Sequence, residues 1–207
     1  MVSKLSQNGV GCLLLANGAL SGDGFEAEIR QQLIENDLVE AIIVLPRNMF
    51  YSTDISVTIW VFNKNKHARV ENKNGRDISY RDRTGEVLFL DLRQKGHPYE
   101  KKYIELTPED RKEITDVYHN WQSVDKEEKY SNIKEFCYSA TKEEIAQKGY
   151  SLVTSKYIEF DRDTEEVDYS TEMTKIQGEL QSLFEEESKS RAELAKVLEE
   201  LGYGIKL

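Results

Sequence analysis

The chain has 207 residues, a formal net charge of −10 and a hydrophobic fraction of 39%. This length suits one ordinary domain with an appendage and allows a buried core. No apolar run approaches the roughly 18 residues of a membrane span, and the first residues lack the apolar core of a signal peptide, so we expect a cytoplasmic protein. Two cysteines cannot form a disulfide framework. Three histidines, none at ligand spacing, leave little material for a metal site or a Ser-His-Asp triad.

Apolar runs in the first half of the chain predict the strands of an α/β sheet. There are four such runs, at residues 10–16, 39–45, 56–62 and 86–91. The continuous run at 10–16 is typical of a strand buried on both faces. A helix is predicted over 25–35, with an apolar stripe that includes Phe25 and Ile29. Strand, helix and strand in this order indicate a βαβ unit with a parallel strand pair. The join at 45–56 is too short for a crossover helix, so the third strand is predicted to run antiparallel.

Beyond the fourth strand the pattern becomes helical. Thr107 and Pro108 have the pattern of an N-cap followed by proline at the first helical position. Thr141 and Glu144 form the pattern of a capping box that opens a second, short helix. We therefore expect three parts, namely an α/β region at 1–105, a helical extension at 106–160 and a long C-terminal helix for subunit docking at 161–207.

The last segment predicts an amphipathic helix of about 30 residues, or roughly 45 Å. Its apolar residues follow two heptad positions and form a candidate docking seam, which consists of Met173, Ile176, Leu180, Leu183, Leu194, Val197 and Leu201. Glu187 and Ser190 occupy the central positions of this seam, which weakens a simple homodimeric coil. Two interpretations stay open: the helix packs on its own domain, or it binds a helix of a partner.

A basic segment interrupts the acidic chain between residues 63 and 83. It carries seven basic and three acidic side chains, a local net charge of +4. The acidity of the whole chain argues against a free-standing nucleic-acid binder, because phosphate contacts supply most non-specific affinity. The segment is therefore either a solvated loop or a contact to a DNA backbone through Lys64, Lys66 and Arg69.

A glycine pattern, G-x-G-x-x-A, spans residues 22–27 between a predicted strand and a predicted helix. In a dinucleotide site this pattern would hold pyrophosphate at the helix N-terminus. The long turn before the first glycine, and the carboxylates of Glu26 and Glu28, argue against such a site. Nucleotide binding is kept as an alternative hypothesis.

Two aromatic residues, Phe50 and Tyr51, follow the strand that stops at Pro46. Aromatic side chains in loops at strand ends are well placed to stack on a planar ligand, including a flipped base. The alternative is that both rings cap the local core.

Several segments together resemble one known family. They are EAEIRQQL at 26–33, VEAIIVLP at 39–46, NMFY at 48–51, VFNKNK at 61–66, VLFLD at 87–91 and GYSL at 149–152. In this order they resemble the C-terminal half of the modification subunit of type I restriction-modification systems, a DNA adenine-N6 methyltransferase. The resemblance implies a partial Rossmann-like methyltransferase sheet, of its C-terminal strands only, with mixed parallel and antiparallel pairing. Helices and a long C-terminal amphipathic helix would follow it.

The resemblance also implies a function for the intact parent, which is methyl transfer from S-adenosylmethionine to adenine N6 in DNA. The family's aromatic expected to stack on the flipped adenine corresponds to Phe50, with Tyr51 beside it. The family's Asn-Pro-Pro-Phe/Tyr motif has no counterpart, because no two prolines adjoin in this chain. We therefore assign no catalytic residue, and we expect this chain alone to be inactive and to bind no cofactor.

The expected partners are the specificity and restriction subunits, and DNA through the intact complex, with no membrane contact. A partial sheet also leaves its first strand as an open edge, which favours self-association. A second hypothesis, from another class, is a non-enzymatic scaffold module that docks through its C-terminal helix.

Overall fold

The computed structural model describes residues 2–73, 75–100, 102–124, 129–160 and 169–203. The chain divides into two compact units, residues 1–161 and residues 162–207. The beginning of the predicted docking segment, residues 161–168, lies outside the described residues.

The first unit contains all of the described strands and three of the four described α-helices. In chain order its elements are β1 (Val10–Ala16), α1 (Phe25–Glu35), β2 (Val39–Val44), β3 (Val57–Asn63), β4 (Arg69–Lys73), β5 (Arg76–Tyr80), β6 (Glu86–Asp91), β7 (His97–Tyr99), β8 (Tyr103–Glu105), α2 (Pro108–Gln122), β9 (Cys137–Thr141) and α3 (Lys142–Gln147). The second unit contains α4 (Tyr169–Glu200).

Five strands form one mixed sheet in the order β1-β3-β2-β6-β9. Strand β3 runs antiparallel to both β1 and β2, as its short connection predicted. Strand β2 is parallel to β6, and β9 closes the far side antiparallel to β6. Strands β1, β2 and β6 therefore run in one direction and place their carboxyl ends at the same edge of the sheet. The expectation that β1 and β2 pair directly is wrong, because β3 lies between them.

Strand β1 is an edge strand, and the prediction that it is buried on both faces is wrong. It pairs with β3 on one side. On it, Val10 is 52% exposed and Leu14 is 48% exposed. An apolar run is covered only where neighbouring elements lie over it, and among the described residues none pairs with the outer side of β1. The open sheet edge expected from the resemblance is therefore present.

Helix α1 has its predicted bounds, but only part of its apolar stripe is buried. Ile34 lies in the core, whereas Phe25 is 75% exposed. Between α1 and the edge of the sheet runs an apolar groove of about 470 Å³, lined in part by Leu13, Ile29 and Trp60. The outer half of the stripe stays exposed because the described residues leave this groove open.

The core consists of two hydrophobic clusters, one on each face of the sheet. Alternate residues of β2 and β6 enter opposite clusters, as strand geometry requires. Ile42 and Phe89 belong to the cluster that includes Ile145 of α3, and Ala41 and Leu88 belong to the cluster that includes Trp121 of α2. Helices therefore cover both faces of the sheet.

The region predicted as a helical extension contributes helices and also a strand. Helix α2 begins with a capping box in which the Thr107 hydroxyl accepts from the Asp110 backbone N–H at 2.9 Å. The Thr141 hydroxyl accepts from the Glu144 backbone N–H at 3.2 Å and so caps α3. Strand β9, which the sequence analysis did not predict, joins the end of the main sheet.

Within its described residues, 169–203, the second unit contains one helix of 32 residues, close to the length predicted from its heptads. Six of the seven seam residues lie on this helix, Leu201 directly follows it, and all seven are exposed. None of the helices in the described ranges is long and apolar enough to cross a membrane.

Candidate functional site

The carboxyl edge of the sheet is the natural place to look for a site. In open α/β sheets ligands bind in the crevice outside the carboxyl ends of parallel strands. Here the segments that leave these ends begin at Asn17 after β1, at Leu45 after β2 and at Leu92 after β6. Leu92 and Val44 are joined by a backbone hydrogen bond of 2.9 Å, so the β2 and β6 exits leave the sheet side by side.

The predicted aromatic pair lies in the segment that follows β2, and its two rings differ in environment. Phe50 is half-buried and packs against the cluster around Trp121. Tyr51 is 75% exposed, and its ring meets the ring of Tyr103 edge-on, with 4.6 Å between centroids. Phe50 thus partly caps the core, whereas Tyr51 does not. The tight turn that carries them is closed by the Thr53 backbone N–H, which donates to the Phe50 carbonyl at 3.4 Å.

The short hairpin of β7 and β8 braces this aromatic segment. The Ile104 backbone N–H donates to the Asn48 carbonyl at 3.0 Å. The Lys102 ammonium pairs with the Asp54 carboxylate at 2.9 Å. These two contacts, together with the Tyr51–Tyr103 ring contact, hold the segment against the hairpin. Sequence reasoning missed this brace, because strands of three residues carry too few positions for a periodic pattern.

The basic segment is not a free cationic surface, and the expectation that Lys66 contacts DNA is wrong. Lys66 is 2% exposed. Its ammonium donates to the carbonyls of Val39 and Glu86 at 3.1 and 2.7 Å and forms an ion pair with Asp37. Burial lowers the pKa of Lys66, and the hydrogen bond with Asp37 opposes this shift. Lys66 therefore ties the starts of β2 and β6 together, at the edge opposite the aromatic pair.

The other two residues expected to contact DNA have protein partners as well. The Arg69 guanidinium donates to the Glu71 carboxylate at 2.6 Å and lies over the Tyr80 ring, 4.7 Å from its centroid. The Lys64 ammonium is exposed and donates to the Leu5 carbonyl at 2.7 Å. Most of the predicted loop is the β4–β5 hairpin.

A buried polar network beside Lys66 also escaped the sequence analysis. Glu40 and Arg83 are both fully buried, and the Arg83 Nε donates to the Glu40 carboxylate at 3.3 Å. Asn63 and Gln122 donate their amides to the same carboxylate at 2.6 and 2.9 Å. Burial lowers the pKa of Arg83, and the charge of Glu40 opposes this shift. A glutamate inside an apolar strand was the available signal, since a buried charge requires a partner.

The glycine pattern at residues 22–27 does not form a phosphate cradle. A Cβ placed on Gly22 would lie 1.8 Å from the Glu26 carboxylate, so this acidic group already fills the space beside the turn. Gly24 has a φ of 63° and precedes α1 without a side-chain cap. An anion here would meet the Glu26 charge. Within the described ranges, no cluster of metal-ligating side chains occurs either.

The fold matches solved methyltransferase subunits. The type I restriction-modification methyltransferase subunit from Streptococcus thermophilus aligns with 76% of this chain and 28% of its own length, with a TM-score of 0.60 and 25% identity. The EcoKI M protein aligns with 89% of this chain and 42% of its own length, with a TM-score of 0.53 and 17% identity. The mixed sheet is therefore that of a methyltransferase fold.

The family follows from the sequence comparisons. The model of the N-6 DNA Methylase family matches residues 1–166, and the chain belongs to this family. The HindI methylase subunit of Haemophilus influenzae is 35% identical over 98% of this chain and 42% of its own length. The MjaIX methylase subunit of Methanocaldococcus jannaschii is 31% identical over 95% of this chain and 33% of its own length. The chain thus spans about two fifths or less of these relatives.

Proposed function

We propose that this chain is the target-base portion of the methyltransferase subunit of a type I restriction-modification system. The complete subunit would transfer a methyl group from S-adenosylmethionine to adenine N6 in DNA. The observation that carries the proposal is the exposed aromatic segment at the carboxyl edge of the sheet in a member of the N-6 DNA methylase family.

In this proposal Phe50 is the platform for the flipped adenine. Its half-buried ring is anchored in the core, so it loses little conformational entropy when a base stacks on it. Tyr51 lies beside it and offers a second, more exposed ring. Stacking of a base on an aromatic side chain contributes about 1–3 kcal/mol. We assign no proton transfer to either residue.

The residues described here do not fit the methyl donor. An acidic side chain at the end of a parallel strand holds the ribose in comparable nucleotide sites. The acidic residue in that position, Asp91, is buried, and its carboxylate already accepts hydrogen bonds from Arg93 and Thr154. We therefore place no part of the cofactor on these residues and derive no step through it.

Incubation of the chain with labelled S-adenosylmethionine and unmodified DNA tests whether these residues lack the methyl-donor site. We expect no transfer of label to adenine and no retention of the cofactor on the protein, whereas a competent DNA adenine methyltransferase in a parallel reaction transfers label. Transfer by the chain alone would contradict the proposal.

A scaffold role for the terminal helix is the second candidate, and the exposure of its apolar seam supports it. Leu180 and Val197 are each about half exposed on α4. We infer that this seam docks the specificity subunit, with the restriction subunit completing the complex on DNA. Truncation after Phe160 tests the inference. Loss of partner binding with a folded first unit supports docking by α4, and loss of the fold contradicts it.

Two further parts of the proposal are self-association and a cytoplasmic location. The open edge of β1 supports the first, and the unpaired Cys12 and Cys137 support the second. An exposed strand edge favours pairing with a second chain, so we expect self-association of this chain when it is isolated. Unpaired thiols fit a reducing cytoplasm, where a protein that acts on chromosomal DNA would work.

A further inference from the structure

A cavity of about 320 Å³ lies at the carboxyl edge of the sheet, next to the ends of β1 and β2. Its lining includes the polar side chains of Asn17, Ser21, Arg93 and Ser155. This volume lies at the lower end of the range for ligand pockets. The aromatic pair does not line it, so the cavity is distinct from the base platform described above.

Arg93 is held in a fixed orientation in this cavity. Its Nε donates to both carboxylate oxygens of Asp91 at 2.9 and 3.0 Å, and its Nη2 donates to one of them at 2.6 Å. Asp91 is itself fixed, since the Thr154 hydroxyl donates to it at 3.1 Å. The guanidinium carbon also lies 5.5 Å from the centre of the Phe160 ring. The guanidinium is therefore oriented before any ligand arrives.

The side of this group that faces the cavity is cationic. Asp91 lies beneath the guanidinium and is not part of the cavity wall, and no acidic residue of the described chain lines it. The Arg93 side chain is 43% exposed, and its Nη1 has no protein partner within the described ranges. The hydrogen bond with Asp91 raises the pKa of Arg93 above its ordinary value, so the charge is permanent.

The neighbouring groups complete an arrangement for an oxyanion. Ser21, Ser155 and Asn17, which also line the cavity, carry two hydroxyls and an amide that are neutral donors. An oriented guanidinium with several neutral donors is the chemistry that recognises a phosphate group.

We propose that this cavity binds a phosphate group through Arg93, and that the group is a backbone phosphate of the DNA strand whose base reaches Phe50. The second half rests on the proposed function. The geometry supports it, because Val44 lines the cavity and the same segment continues directly to Phe50. A strand that delivers one base to this edge must also pass a phosphate along it.

Titration of the isotope-labelled full chain with inorganic phosphate, followed by NMR, tests the cavity itself. We expect shifts of the backbone amides of Asn17, Ser21 and Ser155. We expect the affinity to fall by about tenfold or more in Arg93→Gln, because a charge-assisted hydrogen bond is lost. Arg93→Lys, which leaves a cation beside Asp91, weakens binding less. The control Arg111→Gln, at an exposed position of α2, leaves it unchanged.

Binding of a DNA oligonucleotide over a range of salt concentrations tests the assignment to DNA. Each phosphate contact contributes about 0.9 to the slope of log K against log salt. We expect Arg93→Gln to reduce the size of this slope by about 0.9, the contribution of one phosphate contact. We expect Arg93→Lys to keep the slope while lowering the affinity. Arg111→Gln changes neither quantity.

The outcomes separate the two halves of the proposal. Phosphate binding that survives in both Arg93 variants overturns the cavity site, even if DNA still binds. Phosphate binding that depends on Arg93, with an unchanged DNA salt slope in Arg93→Gln, overturns the assignment to DNA and leaves a site for free phosphate. Failure of the wild-type chain to bind DNA overturns the assignment of this phosphate to DNA, and supports the cavity site if inorganic phosphate still binds.

Discussion

Replacement of Lys66 with methionine removes a buried ammonium and keeps its apolar stem. In the wild type this ammonium donates to the carbonyls of Val39 and Glu86 and pairs with Asp37. The variant leaves the two carbonyls without this donor and leaves Asp37 without its cation. The variant therefore tests whether Lys66 stabilises the fold or contacts DNA.

The expected loss of folding free energy follows from the burial of Lys66 and Asp37. Removing one member of a buried ion pair costs about 3–5 kcal/mol of folding free energy. Asp37 is 27% exposed on its side chain, so water can partly replace the lost cation. We therefore expect the lower end, about 3 kcal/mol. This is a large share of the roughly 5–15 kcal/mol that stabilises an ordinary domain.

Urea unfolding followed by tryptophan fluorescence measures this loss, since Trp60 and Trp121 are both buried in the first unit. The matched control is Lys64→Met, because the Lys64 side chain is exposed and its ammonium donates only to the Leu5 carbonyl among the described contacts. A surface substitution of this kind changes stability by about 0.5 kcal/mol or less. Equal stability of the two variants, with weaker DNA binding by Lys66→Met, would refute this reasoning.

Three further predictions concern the first unit. Burial raises the pKa of the Cys137 thiol, so its stabilising contribution is complete below the unfolded thiol's pKa of about 8.5 and falls as pH rises towards the folded value. Urea unfolding of wild type and Cys137→Ala from pH 7 to 10 would show the wild-type advantage shrinking. Thr107→Ala should cost about 1 kcal/mol through loss of the α2 cap, whereas Thr115→Ala within the same helix should not. Leu14→Lys should shift the chain towards monomer in gel filtration, because a lysine on an edge strand opposes pairing. An unchanged oligomer would show that the edge of β1 does not drive association.

The bounds of several elements could be predicted because their signals are local. The continuous apolar runs of β1 and β6 and the acidic first turn of α1 lie within the elements themselves. The cap at Thr107 depends on residues only three positions apart. Such patterns are set by backbone geometry and are visible in one sequence.

Burial could be predicted only in part, because it also depends on residues distant in the chain: the apolar runs of β2 and β6 are buried, whereas that of β1 is not. The run that forms β1 reads as a core strand, yet it is exposed since the described sheet ends there. The partner of Glu40 is Arg83, 43 positions away. The sequence around Lys66 indicates a surface cation, although its ammonium is buried at the starts of β2 and β6.

The candidate site was predictable only where its signals are local in the sequence. Phe50 and Tyr51 follow a strand that ends at a proline, and the direction of β2 then places them at the carboxyl edge. The hairpin that braces them, and the Arg93 cavity, arise from segments that meet only in the folded sheet. Arg93 lies two positions after Asp91 in sequence, but Ser155, which lines the same cavity, is far along the chain.

The most direct test of the central claim compares two DNA duplexes that bind the chain, one with an extrahelical adenine and one with an abasic site at the same position. If Phe50 stacks on the base, the wild type prefers the adenine by about 1–3 kcal/mol. Phe50→Leu keeps the packing volume against the core but removes the aromatic face, so this preference should vanish while abasic DNA still binds. An equal preference in wild type and variant, or no preference in the wild type, would contradict the account.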